Sequence, residues 1–271
     1  MGLYDGYKVL ALFDPHIKTI PHGQDGWEPA TAKALETALE FGEWWKPDET
    51  ITGQDFMEFD QISIWNRNRK LELEGRRLEH DFQYGNQILE RICNFTKSKV
   101  MFIPGNHDYW LHLYILERPE LHGLINQNKL LNFADRNIEQ TDYGKVYKIG
   151  KASFCHAFLR PGRHNMTKYH SFKMVNEYGK SIFYGHLHTF QAYTNITWDT
   201  KPNIGVSIGC LSDLNPSWMR NSPNAFVNQI LFLEFDKSGN FSWYAPILIG
   251  GKFTYNGKTF GAKKNKTGDK K

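Results

Sequence analysis

The 271 residues, with 40% hydrophobic, 15% aromatic and 23% charged side chains, exclude a disordered or fibrous chain and suffice for one sizeable core. The formal net charge of +4 does not make the whole chain a polyanion binder. Seven lysines (252, 258, 263, 264, 266, 270 and 271) stand against Asp269 alone, so the excess lies in a basic C-terminal tail, 252–271, expected to be solvated. Cys93, Cys155 and Cys210 lack C-x-x-C spacing and read as reduced packing residues, which implies a cytoplasmic setting. The N-terminal apolar run is too short for a signal peptide, Gly6 stands where myristoylation expects a hydroxyl, and no run is long enough to cross a membrane.

In chain order, "YKVLALF" reads as a buried strand that stops at "DPH". Apolar spacing predicts a helix over Pro29–Trp45, and "ETITGQDFMEFD" a second strand followed by an acidic loop, together a βαβ unit. Residues 64–97 read as a charged helical insertion, broken near Gly75 and Gly85. "KVMFI" is a third strand, followed by "PGNHDYW" and a helix from about Tyr109 to Glu117. The second half reads as short strands: "KVYKIG", "KASFC", "SIFY" after a helix near Lys168–Tyr178, and segments near 190–196, 204–209, 228–235 and 241–249. "EFDKSGNFSW" is a hairpin signal. Alternating strands and helices indicate an α/β chain of two stacked sheets covered by helices, a single domain over 1–251.

One arrangement recurs. Five apolar strands end, and directly after them come Asp14 and His16, then Asp55, then Asn106 and His107, then His156, then His186 and His188. Each has an ordinary alternative: Asp14 as a cap, Asn106 as a turn residue, His156 as a core histidine, His186 and His188 as one face of a strand. Five such coincidences are harder to accept, because ligand sites in α/β proteins gather at the carboxyl ends of strands. Carboxylates, imidazoles and an amide oxygen suit borderline divalent ions such as Mn²⁺, Fe²⁺, Zn²⁺ or Ni²⁺, and cysteine ligands are missing. The candidates outnumber the usual ligands of one ion, so two are expected. Such a pair, bridged by one carboxylate, can generate hydroxide at neutral pH and clamp a phosphoryl group for in-line attack.

The order Asp14-x-His16, Asp55 in a G-D-x-x-D-like segment, Gly105-Asn106-His107-Asp108, an isolated His156 and Gly185-His186-x-His188 resembles the calcineurin-like metallophosphoesterases. "SIGCLSDLNPSWMR" and "GGKFTYNGKTF" resemble phage and prophage members. The resemblance implies a two-layered β-sandwich flanked by helices in α/β/β/α order, with a dinuclear metal site at one edge. By motif, Asp14, His16, Asp55 and His188 would hold the first ion. Asp55 would bridge, and Asn106, His156 and His186 would complete the second. His107 would be the catalytic acid at the leaving-group oxygen, with Glu58 as its partner and Asp108 fixing the turn. Two departures stand out: Gln54 occupies a position where the family has Gly, and Phe59-Asp60 replaces the Arg-Gly of protein phosphatases, which disfavours a phosphoprotein substrate.

Arg160, Arg163, His164, Lys168 and His170 are the candidate substrate-binding cations after His156, and Trp65, Arg67, Arg69, Trp218 and Arg220 offer stacking and phosphate contacts. The resulting expectation is a phosphodiesterase acting on DNA, RNA or a nucleotide. The alternatives are a phosphomonoesterase acting on a nucleotide or small molecule, and a non-catalytic binding scaffold.

Overall fold

A computed structural model describes residues 4–23, 26–157, 168–196, 198, 201–220 and 222–261. The first strand explains the layering. In β1 (Tyr7–Ala11), which continues extended to Phe13, Val9, Ala11 and Phe13 face one core while Leu10 and Leu12 face another. A strand buried on both faces reads as an unbroken apolar run, as "VLALF" does.

β1 pairs in parallel with β4 (Glu49–Gly53), which pairs with β5 (Lys99–Ile103) and then β6 (Ile138–Gln140). On its other side β1 pairs antiparallel with β12 (Leu231–Phe235), which pairs with β13 (Phe241–Tyr244) through the expected hairpin. The second sheet runs β10 (Gln191–Asn195), β11 (Asn203–Ser207), β9 (Ile182–Tyr184), β8 (Ala152–Cys155), β7 (Tyr147–Ile149). Phe154, Phe183, Val206 and Ile208 of this sheet meet Val9, Phe13, Ile51 and Leu233 of the first, forming the inter-sheet core.

Helices α1 (Lys33–Trp45) and α2 (Leu78–Phe95) cover the outer face of the first sheet. They approach closely because position 42 is Gly: a Cβ there would lie 2.7 Å from the Phe95 ring. Between β5 and β6 the chain forms α3 (Asn106–Leu116) and the single turn α4 (Gln127–Leu130). Helix α5 (His170–Tyr178) buries Met174 against Tyr184 and Ile182 on the outer face of the second sheet. The layers are therefore α/β/β/α. Between β1 and α1, Pro29 closes a small hairpin, β2 (Thr19–His22) with β3 (Gly26–Pro29), so the helix starts four residues later than expected.

Two expectations are corrected. Residues 78–95 are the crossover helix between parallel strands β4 and β5, not an insertion, and only 64–73 form short 3-10 turns. Residues 252–261 are not a solvated tail. The hairpin β14 (Phe253–Tyr255) with β15 (Lys258–Phe260) places Phe253 and Phe260 at ring distances of 5.3 and 5.2 Å from Phe41 of α1. Burying each of those rings contributes about 2–3 kcal/mol, enough to seat a segment whose lysines stay in water. Residues 262–271 lie outside the described residues.

Candidate metal and catalytic site

The loops that follow β1, β4, β5, β8 and β9 converge at one edge of the sandwich, around a cavity of about 260 Å³. The turns are sharp. Asp14, His16, Gln54, Asp55, His186 and His188 all have positive φ, between 46° and 77°, and they are half of the non-glycine residues with positive φ among the described residues. Left-handed backbone at a residue with a Cβ costs on the order of 1–2 kcal/mol, so this strain is concentrated where polar side chains must be turned inward.

Asp108 ties the turns together. It sits at the third position of α3, and its Oδ2 accepts from the main-chain N–H of Gly105 (2.9 Å), Asp55 (3.1 Å) and Phe56 (3.3 Å). Gln127 donates to its Oδ1 at 3.0 Å. Burial and the neighbouring Asp55 push the Asp108 carboxyl up to about 6. Asp55 itself accepts from the His107 N–H (2.7 Å), and Asp14 accepts from the His186 N–H at 3.0–3.1 Å.

Three groups of ligand-type atoms result. His16, Glu58 and His107 form one, which shares His16 with the next. Asp14, His16 and His188 form the second: the Nε2 atoms of His16 and His188 are 3.2 Å apart, and His188 Nε2 is 3.6 Å from Asp14 Oδ1. Asp55, His156 and His186 form the third, joined by Asn106. There His156 Nε2 faces Asn106 Oδ1 at 2.9 Å, His186 Nδ1 at 3.1 Å and Asp55 Oδ2 at 3.3 Å. Asp14 Oδ1 lies 3.9 Å from His156 Nδ1, which places the second and third groups side by side. A single proton on His156 Nε2 can serve only one of its three neighbours, whereas a cation at the centre would satisfy all four lone pairs. The donor set of imidazole nitrogens, carboxylates and one amide oxygen, without thiolate, fits a borderline or hard divalent ion.

The electrostatics are those of a buried, charged cluster. Burial alone would raise Asp55, but His156 and His107 outweigh it and hold the carboxyl well below the usual range. For Asp14, burial is likewise overcome by the neighbouring His188, with its Nε2 3.6 Å from Oδ1. Burial, with help from His156, lowers His186 to about 4, and burial also lowers His107.

Glu58 is corrected. Its carboxylate does not pair with His107; Oε2 lies 2.8 Å from His16 Nδ1, and Oε1 is 4.0 Å from Lys18 Nζ. The main-chain carbonyl of Glu58 instead accepts from His107 Nδ1 at 2.6 Å. Both imidazoles therefore have their Nδ1 occupied by one residue, which leaves Nε2 of each to face the cavity side. Burial would raise Glu58, but His16 and Lys18 overcome it and hold it far below the ordinary carboxylate range.

His170 is also corrected. It is buried at the start of α5, with Tyr184 Oη 2.6 Å from Nδ1 and Thr189 Oγ1 3.5 Å from Nε2, and it does not line the cavity. Arg160, Arg163 and His164 lie outside the described residues. Of the stacking candidates, Trp218 lines the cavity, Trp65 is exposed, and Arg69 is held by Glu72, Asn66 and Ser217. Gln54 is fully buried, and its amide atoms find no hydrogen-bond partner among the described residues. It does not line the cavity and so does not crowd it.

Sequence reasoning missed Trp110, whose ring stacks on His107 with centroids 3.7 Å apart. Starting the helix at Asn106 rather than Tyr109 puts positions 107 and 110 on one face, and that spacing was the available signal. Cys210 is free and fully buried, in keeping with its reading as a packing residue. Burial would raise its thiol, but the neighbouring His188 outweighs that and lowers it.

No family model and no curated protein matches the sequence. Among solved structures, the chain is similar to TT1561 of Thermus thermophilus at 8% identity, over 88% of this chain and 98% of that one, with a TM-score of 0.41. It is similar to Vps29 of Chaetomium thermophilum at 10% identity, over 89% and 97%, with a TM-score of 0.36. At those scores neither likeness carries an argument about this chain.

Proposed function

We propose that this protein is a dinuclear metal-dependent phosphoesterase that hydrolyses a phosphodiester of a nucleic acid or nucleotide. One observation carries the reading: two ligand groups, supplied by five separate strand ends, sit side by side at one cavity with His107 on its wall. Asp14, His16 and His188 would hold one ion, and Asn106, His156 and His186 the other, with Asp55 between them. Mn²⁺ is the ion proposed first, with Fe²⁺, Zn²⁺ and Ni²⁺ compatible with the same donors. Bound ions would supply Lewis-acid activation of water and neutralise charge on the phosphoryl group.

The chain's own residues account for the rest. His107 donates its Nδ1–H to the Glu58 carbonyl, which fixes the tautomer and presents Nε2 to the substrate. Burial keeps the ring neutral in the free protein, and an anionic ester beside it favours the protonated form, whose Nε2–H is delivered to the leaving oxygen. Trp110 holds the plane of that ring. Lys18 places a positive charge on the cavity wall, and Trp218 and Phe226 offer apolar faces to a base or other leaving group. The three free cysteines suit a reducing cytoplasm.

The small cavity favours one second reading, a phosphomonoesterase acting on a nucleotide or small molecule. The test is hydrolysis of a bis-aryl phosphodiester and the matching monoester by metal-stripped protein reloaded with Mn²⁺. Metal-dependent diester turnover that falls roughly 10²- to 10⁴-fold in His107→Ala supports the proposal. Monoester turnover alone supports the second reading. Bound metal with no turnover of either ester returns the chain to the scaffold alternative.

A further inference from the structure

The opposite end of the sandwich holds a second cavity, of about 610 Å³. Lys148 in β7, Lys151 and Ser153 at the start of β8, Lys180 and Ser181 just before β9, and Lys201 just before β11 line it. The metal-ligand loops leave the other ends of β8 and β9, so the length of those strands, roughly 10–13 Å, separates the two sites. From the first sheet come Phe241 and Trp243 of β13, half-buried rings at the margin of the inter-sheet core.

The charge of this cavity is one-sided. Four lysines line it and no carboxylate does. Lys151 donates to Asn240 Oδ1, and among the described residues none of the four forms an ion pair. Asp236 lies within electrostatic reach of Lys151, but with four lysines and no carboxylate lining one concave surface the net field there favours an anion. The aromatic floor adds a second requirement, a planar apolar part that can pack against Trp243 and Phe241. The volume lies in the range of small-molecule sites, large enough for a mononucleotide and too small for a folded partner.

We propose that this cavity binds a nucleoside phosphate, with the phosphates among the lysines and the base against Trp243 and Phe241. The proposal stands apart from the phosphoesterase reading and holds whether or not the first site turns over an ester.

The test is calorimetric titration of ADP into the full-length protein after chelation of divalent ions, with adenosine and pyrophosphate as separate arms. ADP is expected to bind roughly tenfold or more tightly than either half. The double variant Lys180→Ser/Lys201→Ser, at two exposed positions, should weaken ADP by at least roughly tenfold, while Asn106→Ala leaves it unchanged. Four results would overturn the proposal: no ADP binding, pyrophosphate as tight as ADP, an affinity insensitive to the lysines, or an affinity lost in Asn106→Ala. The last would move the nucleotide to the metal-ligand edge. Hydrolysis by the lysine variant, where the parent protein shows any, should be unaltered.

Discussion

Removing the Glu58 carboxylate separates two accounts of the same residue. In the structure it lies 2.8 Å from His16 Nδ1, a contact that would favour the tautomer with Nε2 free toward His188 and would make His16 a better metal ligand. Outer carboxylates that orient a histidine ligand in this way are worth about 10–100-fold in metal affinity. Glu58→Gln keeps an oxygen to accept from Nδ1–H but loses the charge, so it belongs at the low end, about tenfold or 1.4 kcal/mol. Glu58→Ala removes the acceptor too and should approach about 100-fold, or about 2.7 kcal/mol. Competition for Mn²⁺ against a chromogenic chelator measures this directly, with diester turnover followed at saturating metal. Affinity should fall in the order Gln then Ala, and turnover should largely recover when metal is raised. Unchanged affinity with turnover that saturating metal cannot restore would refute the reasoning, and would mean that the side chain acts on His107 after all.

Gly105→Ala should lower affinity for the second ion by more than roughly tenfold in the same assay, because the new Cβ would overlap the Asp55 carboxylate and amide. Trp110→Ala should reduce kcat about two- to tenfold with metal affinity unchanged, since an aromatic stack contributes about 0.5–1.5 kcal/mol. Phe260→Ala should destabilise the protein to urea by about 3–5 kcal/mol; a change near zero would mean that the C-terminal hairpin is not part of the core. Burial raises the carboxyl pKa of Glu49, where Tyr7 and Tyr147 donate to it at 3.1 and 2.6 Å. The folded state then holds that proton more tightly than the unfolded chain, so stability falls as pH rises from the ordinary carboxylate value through the raised one. Glu49→Gln removes this loss, and its melting temperature relative to the parent should be higher near pH 7 than near pH 4.

The layers and the strand ends were legible for one physical reason. Strands buried on both faces leave uninterrupted apolar runs, and each run that stops at Asp, Asn or His marks a loop at a carboxyl edge. The C-terminal hairpin was hidden because lysines dominate its composition, while the information lay in two rings, Phe253 and Phe260, seven residues apart in sequence and paired across the strands. The partner of Glu58 was hidden for a different reason. Phe59 has φ 52°, and the bend there brings the carbonyl of Glu58 to His107 while its side chain goes to His16. A motif position shows that a residue is near, but only backbone geometry shows whether its main chain or its side chain makes the contact. The second cavity escaped because its lysines come from one hairpin, Lys148 and Lys151 of β7–β8, and from two distant strand beginnings, Lys180 and Lys201.

The strain at the first site has a consequence for how it would bind ions. Six residues in left-handed backbone would cost on the order of 6–12 kcal/mol if nothing offset them, comparable to the whole stability of a domain. The offset is visible in the protein's own hydrogen bonds. Asp108 gathers three main-chain donors from the turns after β4 and β5, Asp55 takes the His107 N–H, and Asp14 takes the His186 N–H. Each of these acceptors is charged or close to it, and charge-assisted bonds are the strong ones. Asp14 and Asp55 therefore serve twice, as scaffolding for the turns and as candidate ligands. An ion entering such a site meets side chains already aimed, so little of its binding energy is lost to ordering the loops. An ion beside Asp55 would also offset the repulsion that, after burial, helps hold the Asp108 carboxyl up at about 6. Ion binding at this edge would thus be coupled to folding through Asp108, a residue with no place in the ligand groups themselves.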